Sequence, residues 1–266
     1  MGGGSDIYST AVGASALSSN TTGGQNVAIG YDTLHLNTEG LYNTVVGSQA
    51  LSANRTGSSN TAVGRRALGS TTAGLNSAVG YQSLVSNTSG VRNSALGAET
   101  LVYNSTGNDN VAVGHLALSS NTTGSSNVAL GKAALYYVTG GGNLAIGYFA
   151  GSYQADDSNL TTANNSIYIG NFSRGYDNND ANSIVLGASA IGAGANTTVI
   201  GNSSMADVYF GSFSANANIH GKKLFLGSSS IPGCIIMGDS DGSGVTYLTV
   251  NDGVLTASTT APSACQ

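Results

Sequence analysis

The chain has 266 residues, of which only 8% are charged, against roughly 25% in a typical soluble domain, while glycine reaches 39 residues. The net charge is −5 and the eight basic residues are scattered, with no basic stripe to follow a phosphate backbone, which argues against nucleic acid as a partner. No apolar run approaches the length of a bilayer-spanning helix, so no membrane insertion is expected.

Low charge with abundant Asn, Ser, Thr and Gly is not disorder here, because aliphatic residues fall on a schedule. The opening stretch, Met1 to Asp6, shows neither the charged nor the apolar region of a secretory signal. An extracellular role then requires release by lysis, assembly into a virion, or a longer parent chain.

Residues 1–151 are a regular array. Gly13, Gly30, Gly47, Gly64, Gly80, Gly97, Gly114, Gly131 and Gly147 follow at steps of 17, 17, 17, 16, 17, 17, 17 and 16. Each closes the same phrase, as in Asn26-Val-Ala-Ile-Gly30 and Asn60-Thr-Ala-Val-Gly64. A repeat this short is one structural rung that must stack on neighbours to bury anything.

We number each rung from its glycine at position zero. Position −1 is always branched aliphatic, from Val12 to Ile146, and position −2 is Ala except at Val45. Leu stands at +4, from Leu17 to Leu135, Asn usually at +7, and Gly at +10 through Gly141. The Asn-Ser/Thr-x-Gly clusters are turn chemistry, and the alternating stretch before the zero glycine reads as a short strand. A helix is ruled out by two glycines per repeat, at about 1 kcal/mol each.

The reading is a parallel β-solenoid with about one strand per side. Each coil offers one branched aliphatic, one Leu and a couple of Ala for burial, which is thin support for about 17 ordered residues. Side-by-side packing of identical stacks is expected to supply the missing interior, making the protein an obligate homo-oligomer. About twelve rungs at ~4.8 Å give roughly 58 Å of reach.

Residues 152–201 continue the roll irregularly. Motif glycines return at Gly170, Gly187 and Gly201, spaced 23, 17 and 14. Residues 202–266 are aperiodic and β-rich, and are expected to form a small C-terminal cap or tip over the open solenoid end. Asn251-Asp-Gly253 between Thr-Tyr-Leu-Thr-Val and Val-Leu-Thr-Ala is a hairpin signal. Tyr209, Phe210, Phe213 and Tyr247 are the candidate receptor contacts of that tip. Cys234 and Cys265 are either two thiols or a bridge within or between chains.

Catalytic and cofactor chemistry is not signalled. His35, His115 and His220 lack partner carboxylates at metal spacing, and Asp239-Ser-Asp241-Gly-Ser243 lacks the distant Glu of a calcium loop. We therefore expect no catalytic, cofactor or metal site. Five of the Asn-x-Ser/Thr sequons fall on the repeating turn, where turn preference explains them without glycosylation. A Thr row at +8, including Thr21, Thr38, Thr72 and Thr88, suggests ordered water, but Arg55 interrupts it.

Asn-x-Ala-Val-Gly-x-x-Ala-Leu followed by Ser-Asn-Thr-Thr-Gly resembles the head repeats of trimeric autotransporter adhesins, in the longer form found in phage tail fibres. The resemblance covers residues 9–151 and, in altered form, 164–201. It implies an all-β, left-handed parallel β-roll, homotrimeric about one axis, whose surface rather than a pocket does the work. The chain shows no membrane anchor, heptad stalk or self-cleaving chaperone of those families. The expected function is a non-enzymatic fibre segment of a virion tail, mediating attachment to a host cell-surface glycan or protein. The alternative is a structural subunit of an extracellular filament or a bacterial surface adhesin.

Overall fold

In a computed structural model of the chain, residues 8–205 are described in full, and short strands between 227 and 258 by their backbone alone. The chain divides into two compact units, 1–208 and 209–266.

The first unit is a parallel β-solenoid. Its strands are β1 (Thr10–Val12), β2 (Val27–Ile29), β3 (Thr44–Val46), β4 (Thr61–Val63), β5 (Ser77–Val79) and β6 (Ser94–Leu96). They continue as β7 (Val111–Val113), β8 (Val128–Leu130), β9 (Leu144–Ile146), β10 (Ile167–Ile169), β11 (Ile184–Leu186) and β12 (Thr198–Ile200). All twelve lie in one sheet in chain order, each parallel to the next. Eleven steps of ~4.8 Å make this sheet about 53 Å long. Register follows the glycine schedule even where spacing changes, with Ala145 opposite Tyr168 and Val185 opposite Val199.

The roll and its ~17-residue pitch match the sequence reading, but each rung holds a single three-residue strand rather than one per side. The rest of the coil is turn, tied to the next rung by backbone bonds such as Leu34 N–H to the Ala50 carbonyl at 3.2 Å and Thr38 N–H to the Arg55 carbonyl at 2.9 Å.

The zero glycines are needed for two reasons at once. From Gly13 to Gly187 their φ lies between +127° and +139°, a region L side chains avoid. They also stack directly, so that a Cβ on Gly80 would lie 2.2 Å from the carbonyl oxygen of Gly97.

Alternation along the strand turns position −2 inward and positions −3 and −1 outward. Ala28, Val45, Ala62, Ala78 and Ala112 are fully buried, with Leu34, Leu51, Leu68, Leu84, Leu101, Leu118 and Leu135 facing them from +4. This corrects the expected core, because the branched aliphatic at −1 faces outward and contributes nothing to the coil interior. Each of these leucines holds a left-handed backbone, as at Leu34 with φ +50°. That conformation costs ~1–2 kcal/mol, and burying the side chain contributes ~1.5–3 kcal/mol in return.

The asparagines, expected at +7 as turn residues and at −4 as the start of the strand, are core residues. At position −4, Asn26, Asn43, Asn76, Asn93, Asn110 and Asn127 are buried and chained rung to rung. Asn43 donates from both its backbone N–H (2.9 Å) and its Nδ2 (3.1 Å) to Asn26 Oδ1, and from Nδ2 to the Gly57 carbonyl at 3.0 Å. A second ladder runs at +7, where Asn37 Nδ2 donates to Asn20 Oδ1 at 2.8 Å and Asn54 Nδ2 to Asn37 Oδ1 at 2.9 Å.

The second ladder is interrupted on the short rungs. Thr71 and Val138 stand where Asn is due, and the buried Oδ1 atoms of Asn54 and Asn121, one rung earlier, have no hydrogen-bond partner. The two breaks are separated by the same stretch of chain as Gly64 and Gly131, so the array is built from four-rung units. A buried acceptor left unmade costs ~1–3 kcal/mol. Thr71→Asn supplies the missing donor and is expected to raise stability by about 1 kcal/mol in urea unfolding. A lowered midpoint would contradict this account of the ladder.

After β9 the excursion over 152–163 widens one rung, with Tyr153 and Asn159 forming an antiparallel bridge. Interior chemistry changes with it. Tyr168 replaces Ala at −2, fully buried, and donates its hydroxyl to Asp180 Oδ2 at 2.9 Å. Burial first, then the Asp180 charge, pushes the Tyr168 hydroxyl pKa upward. Ser166 and Ser183 take over the −4 ladder, Ser166 N–H donating to Asn143 Oδ1 at 3.0 Å.

In the second unit, β13 (Gly227–Ser228) pairs antiparallel with β14 (Ile231–Pro232). A three-stranded antiparallel sheet contains β15 (Cys234–Gly238), β16 (Val245–Asn251) and β17 (Val254–Ser258). Asn251 lies opposite Val254, the pairing that the Asn-Asp-Gly signal predicts.

Candidate functional site

The outward strand face carries the most distinctive surface among the described residues. At position −1, Val12, Ile29, Val46, Leu96, Leu130, Ile146 and Ile200 are between 36% and 56% exposed in the single chain. Val63, Val79, Val113, Ile169 and Leu186 complete the column, half-buried. The column is unbroken from β1 to β12, and Val111 and Val128 widen it at −3. A contiguous apolar stripe of this length is unusual on the surface of a soluble monomer.

A second surface lies on the turn side of β8 to β10. Aromatic residues that stand singly on other rungs, as Tyr31, Tyr81 and Tyr103 do, gather here: Tyr136, Tyr137, Tyr148, Phe149, Tyr153 and Phe172. Phe149 and Phe172 stack, 5.8 Å between centroids and 9° between planes. Tyr148 stands nearly perpendicular to both, at 4.7 and 5.0 Å. Tyr153 joins Phe149 at 5.5 Å and Tyr137 at 5.9 Å, and burial followed by the Tyr137 neighbour raises its hydroxyl pKa. Lys132 Nζ lies over the Tyr148 ring, 5.6 Å from its centroid.

Charges elsewhere are sparse. Arg92 grips Asp109 with two bonds of 2.6 and 2.9 Å across adjacent rungs, lowering the Asp109 carboxyl pKa and raising that of the guanidinium. Both are solvent-exposed, so the pair contributes little to stability. Arg174 pairs with Asp157 of the excursion. His115 Nε2 lies 3.8 Å from Glu99, and His35 Nδ1 is 3.3 Å from the Asp32 carbonyl. Among the described residues no three His, Cys, Asp or Glu side chains gather as a metal site, and no helix is long and apolar enough to cross a membrane.

The sequence-predicted residues fall into two groups. The repeat glycines from Gly13 to Gly147 form the backbone stack described above. Tyr209, Phe210, Phe213 and Cys265 lie outside the described residues, as do the side chains of Tyr247 and Cys234, His220, and the 239–243 segment. The repeating-turn sequons are closed to modification, because Asn20, Asn54, Asn87, Asn104 and Asn121 are buried with Nδ2 already donating. The Thr row does not order water as an open array. Thr21, Thr38 and Thr88 donate their hydroxyls to the next rung's carbonyls at 2.9–3.0 Å.

Sequence reasoning misses both surfaces. The −1 column is visible in the sequence but reads as core, since periodicity alone does not say which face of a strand turns inward. The aromatic cluster is visible as a break in rhythm at Tyr148-Phe-Ala-Gly-Ser-Tyr153, without the rung stacking that brings Phe172 beside Phe149.

Comparison with known protein families, with curated proteins and with solved structures finds no match for this chain.

Proposed function

We propose that the protein is a non-enzymatic, homotrimeric fibre segment, most simply part of a virion tail fibre that carries a receptor-binding end to a host surface. The observation that supports this reading best is the unbroken aliphatic column along β1–β12, which in a single chain faces water over about 53 Å. Three copies arranged about one axis, as in the left-handed rolls this sequence resembles, place each column against its neighbours and cover it. The turns, tied by hydrogen bonds at every rung, give a stiff spacer. Its working location is extracellular, and it needs no cofactor, nucleic acid or membrane insertion. Contact with a host glycan or protein is assigned to 202–266.

Removal of 202–266 tests the assignment. The truncated roll is expected to lose adsorption to host cells, by at least about tenfold in bound fraction at equal concentration. Retained adsorption by residues 1–201 would move the receptor contact to the roll.

A further inference from the structure

We propose that the aromatic wall on the turn side of β8–β10 is an additional saccharide site, taking an acidic sugar of a surface polysaccharide; this rests on the attachment reading above. Three observations carry it. The rings lie on the outside of the coil, at positions where other rungs carry residues as different as Ser48, Arg65 and Tyr81, so the roll's own core does not need them. Phe149 and Phe172 brace Tyr148 from the side, at 79° and 87° between planes, which holds one part-exposed ring in a fixed orientation. Lys132 places an exposed ammonium over that same ring.

The chemistry fits one class of occupant. A pyranose has an apolar C–H face and a polar rim, and an exposed tyrosine ring offers the matching flat apolar surface with a hydroxyl at its end. The ammonium of Lys132 complements a carboxylate on the same sugar, a charge-assisted contact stronger than a neutral one. A neutral sugar leaves that charge unused, and an apolar peptide needs a groove rather than a braced flat ring. The molecule also carries its own control. Four rungs earlier Arg65 lies over Tyr81 at 5.9 Å, but Gln82 and Glu99 stand where Phe149 and Phe172 would be, so no phenylalanine pair braces that ring.

The test uses the full chain on an array of neutral, uronic-acid-containing and sialylated oligosaccharides, followed by titration of the best ligand. Binding to acidic members is expected. Tyr148→Ala should weaken it about tenfold, and Lys132→Gln should weaken acidic but not neutral binding by roughly the same factor. Tyr81→Ala should leave it unchanged. Both Lys132 and Tyr148 are on the surface, and an unaltered assembly mass checks that each variant is folded. Binding to no array member, equal loss with Tyr81→Ala, indifference to Tyr148→Ala and Lys132→Gln, or a change in assembly mass with Tyr148→Ala would each overturn the site. Host-cell adsorption that survives Tyr148→Ala while the array stays empty sinks this site and leaves the attachment reading standing. Absence of adsorption by the intact chain sinks the attachment reading instead.

Discussion

Gly80→Ala is expected to destroy the regular array around β5 and β6. The residue holds φ +138°, and its new Cβ would stand 2.2 Å from the Gly97 carbonyl oxygen, 2.5 Å from its carbon and 2.9 Å from Ala98 N. All three are backbone atoms, so no side-chain rotation relieves the clash. Strain in this backbone region alone costs ~1–3 kcal/mol, and separating two rungs breaks ladder bonds at about 1 kcal/mol net each. The total exceeds about 4 kcal/mol, a loss reserved for a few mechanisms of this kind. Gly69→Ala is the matched control. Gly69 has an ordinary φ, and its Cβ would meet Arg66 O and a Val85 methyl at 3.2 and 3.3 Å. Its effect is expected within about 1 kcal/mol of wild type. Urea unfolding followed by circular dichroism compares the two, and equal midpoints would refute the glycine stack as the element that sets rung spacing.

The second large effect concerns the outward column. Leu96 and Leu130 are 51% and 46% exposed in the single chain, two rungs apart with Val113 between them. On a free surface, Leu96→Glu with Leu130→Glu would change stability by no more than about 0.5 kcal/mol per site. In a threefold assembly the same pair brings six carboxylates into a dry seam without partners, at several kcal/mol for each uncompensated charge. The double variant is therefore expected to dissociate and, because the oligomer is obligate, to lose its β spectrum with the assembly. An unchanged assembly would remove the column from the interface.

How much is legible in the sequence follows from what each residue type has to do. The glycine pitch announces the solenoid because no other residue tolerates a strongly positive φ against a neighbouring backbone, so the schedule cannot drift. The strand before each glycine is legible for the same reason. Asn37 reads as a turn former, a sound prior for an isolated asparagine, and Asn43 as the start of a strand. Their ladders exist only once rungs stack at a fixed pitch and put one Oδ1 against the next Nδ2. The left-handed Leu34 and its equivalents are invisible, since leucine is a poor choice for that backbone on its own, and only the interior it fills makes it acceptable. Position −1 is legible as aliphatic but misplaced, because Val46 and its neighbours look like core until the residues at −2, such as Ala62 and Ala78, are seen to occupy the inside. The wall at Tyr148 combines residues from three rungs, the last two separated by the widest step in the array, and that step breaks the pattern that would have linked them.

The central claim is that one chain leaves a long apolar face that other copies cover. Sedimentation equilibrium of the purified full-length protein measures this without a variant or a ligand. The expected species has three times the mass of the 26.4 kDa chain and is stable on dilution. A folded species of 26.4 kDa that keeps its β spectrum on heating would contradict it.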